Sequence, residues 1–179
     1  MSRLHDNYTT KVLPALRKEF GIANVMAVPR ITKITVNVGV GRMAKDAGAI
    51  ERVERDLAVL TGQKPSRRLA KQSIASFKLR QGTPVGVAVT LRGKRMWDFL
   101  ERFITISLPL SKDFRGIDPK NFDREGNLNV GIKEHSIFPE VNVENVKDIF
   151  SMQVTITTTA KNREQGIALL TLLGFPLKK

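Results

Sequence analysis

Apolar side chains recur along the chain with two different periods, and the switches between them mark its elements. Leu4, Tyr8, Val12, Leu16 and Phe20 stand at helical spacing and are followed by Gly21, a natural helix terminator. Pro14 begins or kinks the second part of that helix, because it has no N–H to donate and its ring crowds the preceding turn. In residues 30 to 38, Ile34, Val36 and Val38 point one way and Lys33, Thr35 and Asn37 the other, the two-residue period of a half-buried strand. Asp46 is placed to cap a helix through Leu60, with Ile50, Val53, Leu57 and Leu60 inward, Glu51 and Arg55 paired outward and Gly62 at the stop. Residues 66 to 84 have no sustained period, include Gly82 and Pro84, and read as a basic loop.

A second strand places Val87, Val89 and Leu91 on one face and Ala88, Thr90 and Arg92 on the other. It leads into a helix with Met96, Leu100, Phe103 and Ile104 on a buried stripe, which should stop near Pro109. Residues 110 to 145 are rich in Gly, Asn, Asp and Pro and predict an irregular segment. Met152, Val154 and Ile156 then alternate with Gln153, Thr155 and Thr157, and a helix from about 161 to 173 ends at Gly174 before Pro176. The strands share one apolar and one polar face, so helices should cover one side only. That predicts an α+β fold with a mostly antiparallel sheet and a polar, basic face left open, since a doubly wound parallel sheet needs both strand faces apolar. No linker divides the 179 residues, which predicts a single domain.

Charge sharpens the picture. The net charge is +13, and residues 1 to 100 carry +12 of it against +1 for residues 101 to 179. No acidic residue occurs between Asp56 and Asp98, while Lys64, Arg67, Arg68, Lys71, Lys78, Arg80, Arg92, Lys94 and Arg95 all fall there. Solvated faces usually mix both signs, so this stretch is the first candidate for contact with a polyanion, nucleic acid or an anionic membrane. Against a membrane, no run approaches the ~20 apolar residues of a span and no amphipathic anchor is left over once the helices fill the core. The first residues carry no apolar signal segment, which predicts a cytoplasmic protein.

Candidate chemistry is sparse. There is no cysteine, and His5 and His135 are too far apart for a local metal motif, so neither metal nor cofactor is expected. Gly39-Val40-Gly41-Arg42-Met43-Ala44 imitates a dinucleotide-binding turn, but the following helix leads into Gly62-Gln63-Lys64-Pro65, a basic turn where that fold needs an acidic ribose ligand. His135 follows Glu134 in the irregular segment and reads as a surface histidine rather than a general base. An RNA-acting enzyme would need a convergent acidic or nucleophilic cluster that the sequence does not display. The polar sheet face is either plain water exposure or a surface whose Thr and Asn groups meet 2′-hydroxyls and base edges, with Lys33 and Arg92 on flanking phosphates. No aromatic residue lies on it, which favours helical RNA over stacked single strands.

The words along the chain are then familiar. Val28-Pro29-Arg30-Ile31-Thr32-Lys33-Ile34-Thr35-Val36-Asn37-Val38-Gly39-Val40-Gly41, Leu60-Thr61-Gly62-Gln63-Lys64-Pro65, Ser73-Ile74-Ala75-Ser76-Phe77-Lys78-Leu79-Arg80-Gln81-Gly82, Thr90-Leu91-Arg92-Gly93 and Ile156-Thr157-Thr158-Thr159-Ala160-Lys161 occur in order along nearly the whole chain. They resemble the bacterial large-subunit ribosomal protein family numbered five. The resemblance implies binding of 5S rRNA in the central protuberance, beside 23S rRNA and neighbouring large-subunit proteins, contact with the P-site tRNA, and a bridge to a small-subunit head protein. It matches Asn37, Gln63, Lys64, Thr90 and Arg92 to 5S rRNA, and Lys78, Arg80, Gln81 and Gly82 to the tRNA; Lys33, Arg67 and Arg68 join the expected 5S rRNA contacts on their charge. Gln72, Ser76 and Leu110 depart from the family pattern, which implies a basic residue, Gly and Arg there.

Overall fold

The computed structural model describes residues 2–43, 46–77, 79–112, 114–141 and 149–178. Its strands are β1 (Ile31–Gly39), β2 (Ser66–Leu69), β3 (Pro84–Leu91), β4 (Leu128–Ile132) and β5 (Met152–Thr158). Its helices are α1 (Arg3–Asn7), α2 (Leu13–Phe20), α3 (Ala47–Thr61), α4 (Gly93–Arg102), α5 (Leu108–Leu110) and α6 (Arg163–Leu172). The strands form an antiparallel sheet in the order β2-β3-β1-β5-β4, and the fold is of the α+β class that the strand faces predict. Contacts divide the chain into two units, one made of Met1–Ile34, Leu91–Val130 and Thr155–Lys179, the other of Thr35–Thr90 and Gly131–Val154.

In the first unit two helical runs share a construction. Thr10-Lys11-Val12-Leu13-Pro14 and Thr105-Ile106-Ser107-Leu108-Pro109 repeat one pattern, and each proline follows a five-residue π-helical turn, Tyr8–Val12 and Phe103–Ser107. A proline ring clashes with the carbonyl four residues back, here that of a threonine, and the wider turn relieves the clash. Each threonine hydroxyl also donates to a carbonyl four residues earlier, Thr10 to Asp6 O and Thr105 to Glu101 O, both at 2.7 Å. The wider turn accommodates Pro109, and the helix ends one residue after it at Leu110, near where the sequence predicts. The two runs meet where the Trp97 ring lies edge-on to His5, with centroids 5.3 Å apart, and tilted against Tyr8 at 5.7 Å. The Tyr8 hydroxyl donates to Pro29 O at 3.0 Å, and its burial raises the phenol pKa, opposed by the charge of Arg30.

At the other end of this unit, the Asp123 carboxylate accepts the N–H groups of Glu125 and Asn127, and Asn127 Oδ1 accepts the N–H of Thr158 at the end of β5. This turn lies so close to α6 that a Cβ on Gly166 would sit 2.3 Å from Gly126 O. Only glycine fits there.

In the second unit α3 begins and ends as the sequence predicts. Asp46 Oδ1 accepts the N–H of Ala49 at 3.1 Å, and Gly62 closes the helix with φ +63° and its N–H on Ala58 O. Two elements appear where the sequence has no clear period. β2 occupies residues 66–69 of the stretch read as a loop, and all four of its side chains are exposed, so it has no apolar alternation to reveal it. β4 does alternate, with Leu128, Val130 and Ile132 buried, but it is set among Gly126, Asn127, Asn129 and Gly131, residues that usually signal turns.

His135, expected at the surface, is 1% exposed. Its ring stacks on Phe150 with centroids 3.9 Å apart, its Nδ1 accepts the Phe150 N–H at 3.3 Å, and its Nε2 lies 3.8 Å from the Asp56 carboxylate. An apolar ring face and two placed polar partners make it a core residue.

Candidate nucleic-acid interface

The pairing of β2 with β3 sorts the basic residues of the second unit by face. Directly paired antiparallel residues project to the same side, and successive residues alternate. Arg67 pairs with Val87 and Arg68 with Gly86. Val87 is fully buried in the core. Arg67 therefore projects toward the helix side of the sheet, where its Nε and Nη2 grip both oxygens of Glu54 on α3, the second bond at 3.0 Å. That hydrogen bond and the carboxylate charge raise the pKa of Arg67 further.

Arg68 projects to the opposite, open face. A Cβ on Gly86 would lie 3.7 Å from Arg68 Cβ, 3.7 Å from Asn37 Oδ1 and 3.3 Å from Val38 O. Gly86 is itself buried, hemmed in by Val38 O and lying between Asn37 of β1 and Arg68 of β2, and both flanking side chains are exposed. Arg68 makes no ion pair among the described residues. The same face continues along β3 through Ala88 and Thr90. Ala88 is buried and pairs with Ser66, whose hydroxyl donates to Ala88 O at 3.2 Å. Gln63 joins this end of the face, because its Nε2 donates to Thr90 O at 3.3 Å, and Lys64 beside it is exposed. Lys33, half-buried on β1, and Arg92, exposed at the start of α4, belong to the first unit.

Beyond β2 the chain does not wander. Ala70 N donates to Thr83 O and Gly82 N to Ala70 O, so residues 70–83 leave and re-enter the sheet as a closed loop. At the tip, Ile74 and Leu79 exchange two backbone hydrogen bonds of 2.9 and 3.1 Å, and Ser73 Oγ accepts the N–H of Gln81 at 2.9 Å. Arg80, Gln81 and Gly82 are exposed on this frame, with Gly82 at φ +83°. Lys78 lies outside the described residues.

The structure therefore brings Asn37, Arg68, Gln63, Lys64 and Thr90 to one face or its end, and separates Arg67 from them. Sequence reasoning missed two residues of this geometry. Gly86 had a signal, since an isolated glycine within Val85-Gly86-Val87 marks a close approach to a backbone or ligand. Glu54 had none that composition could supply. Chemically, an exposed amide and an exposed guanidinium on one face offer hydrogen bonding and phosphate neutralisation, with no acid or base among these residues poised for turnover. No helix of the described residues is long and apolar enough to cross a membrane.

Two family models match the chain. One, described as ribosomal protein L5, covers residues 24–80, and a second, described as the C-terminus of that ribosomal family, covers residues 84–177. The chain is also similar to the large ribosomal subunit protein uL5 of Colwellia psychrerythraea, with 49% identity over 179 residues, 100% of this chain and 99% of that protein.

Proposed function

Since the chain belongs to the ribosomal protein L5 family, we propose that the open face holding Asn37, Gly86 and Arg68 is its contact with 5S rRNA. Membership makes the chain a structural constituent of the large ribosomal subunit, a ribosome-bound rRNA-binding protein of the cytoplasm and not an enzyme.

The observation that carries the 5S reading is that Asn37 and Arg68, both exposed, flank the buried Gly86 on one face of the sheet. With no side chain between them, an amide that pairs with sugar or base edges and a guanidinium that pairs with phosphate are presented side by side to an RNA backbone. Gln63, Lys64 and Thr90 extend the contact at one end, and Lys33 and Arg92 add phosphate contacts from the first unit. Arg67 supports the interface through α3 instead of touching RNA. The loop at residues 70–83 meets the P-site tRNA through Lys78, Arg80, Gln81 and Gly82. Contacts with 23S rRNA and neighbouring large-subunit proteins hold the domain in the central protuberance. The near-neutral sequence after Pro109 makes the bridge to a basic small-subunit head protein, a partner that further positive charge would repel.

The test is equilibrium binding of purified chain to 5S rRNA. Asn37→Ala and Arg68→Ala should each weaken it by roughly fivefold or more, the size of an ordinary to a charge-assisted hydrogen bond. Unchanged affinity in both variants would move the interface elsewhere.

A further inference from the structure

Phe77 has no role in an interface built from charge and hydrogen bonding, yet it is 78% exposed. A single exposed apolar residue is ordinary on a protein surface. Three features set this one apart. It closes a short 3-10 turn, Ala75–Phe77, whose last N–H donates to Ile74 O, between the paired Ile74 and Leu79, so its backbone is held on a preformed frame. Exposed Lys71 and Arg80 lie on the same loop, and the sequence has no acidic residue from 57 to 97, so the surroundings attract a polyanion and repel a basic protein. It is also aromatic, and a flat ring on a cationic loop matches the flat face of a nucleobase.

We propose that Phe77 is a stacking residue, taking the open face of an unpaired base or of a terminal base pair on the RNA that this loop meets. The inference rests on the proposed contact between the loop and tRNA. Arg80 and its cationic neighbours supply attraction that fades with salt, whereas the ring supplies a salt-insensitive contribution indifferent to base identity, because every base has a π face.

Ribosomes assembled with the full-length variant chain provide the test, with deacylated tRNA titrated into the P site at several salt concentrations. Phe77→Leu keeps the apolar bulk and removes the π face, while Phe77→Tyr keeps both. The proposal expects Phe77→Leu to weaken tRNA binding by roughly fivefold or more at every salt concentration. The slope of log affinity against log salt should stay unchanged, and Phe77→Tyr should match the original chain. Arg80→Gln, run in parallel, should reduce that slope instead. Full affinity in Phe77→Leu, or an equal loss in Phe77→Tyr, overturns the stacking proposal. If Arg80→Gln still loses affinity in that case, the loop still meets tRNA and only the role of the ring is wrong. If neither position matters, both readings fall.

Discussion

Two adjacent arginines in β2 have opposite surroundings, and the difference is measurable. Arg67 is neutralised by Glu54 on the helix side, whereas Arg68 faces the open strip beside Asn37. In salt-titrated binding to 5S rRNA, Arg68→Ala should lower the steepness of log affinity against log salt by about 0.7 to 0.9, the release of counterions from one phosphate contact. Arg67→Ala should leave that steepness unaltered, and equal changes in the two variants would contradict the assignment of faces. In the sequence the pair is simply Arg67-Arg68, because what separates them is the register with β3, and register is set by tertiary pairing. His135 makes the same point. Its neighbours Glu134 and Ser136 suggest a wet loop, and Phe150, fifteen residues on, together with the Asp56 carboxylate makes it a core residue. His135→Ala should destabilise the chain by roughly 3 kcal/mol, combining a cavity with an unpaired buried N–H. Urea unfolding checks this, and a midpoint equal to that of the original chain would refute it.

The elements were legible in proportion to their apolar period. β1, β3, β5 and α3 each have a buried stripe of strict spacing and lie where the pattern puts them. β2 has no buried side chain, and β4 is masked by glycine and asparagine, so pairing alone defines them. The helices containing Pro14 and Pro109 were legible as helices, but not the π-helical turns that let each proline be accommodated. Packing between elements also depends on missing side chains. At Gly166 an added Cβ would meet the backbone of Gly126, which cannot rotate away. Gly166→Ala should therefore cost about 1 to 3 kcal/mol or more, as overpacking does. Gly131→Ala on β4, with open space around the built Cβ, should be neutral or stabilise by up to about 1 kcal/mol. Denaturant unfolding of the two variants side by side tests the contrast, and similar midpoints would show that α6 and its turn can part at no cost.

For the whole molecule, the alternation of apolar and polar positions was enough to indicate the α+β class, and in the second unit the α3 side and the open side of the sheet are now distinct. Charge pointed to the basic stretch between Asp56 and Asp98, but not to how that stretch is divided among an edge strand, a closed loop and a strand whose buried Gly86 lies between Asn37 and Arg68. A net charge of +13 would bind any polyanion to some degree, so affinity by itself says little about function. Selectivity is the decisive property, because the proposed contact with 2′-hydroxyls and a particular RNA shape would distinguish its target from other anions of equal charge. The most direct test is therefore a salt-titrated competition, with the purified chain bound to labelled 5S rRNA and challenged by unlabelled 5S rRNA, by an unrelated structured RNA and by duplex DNA of similar length. A preference for 5S rRNA that persists as salt rises, and that shrinks in Arg68→Ala, is the result predicted here. Equal displacement by all three competitors at every salt concentration would contradict it and leave only a generic basic surface.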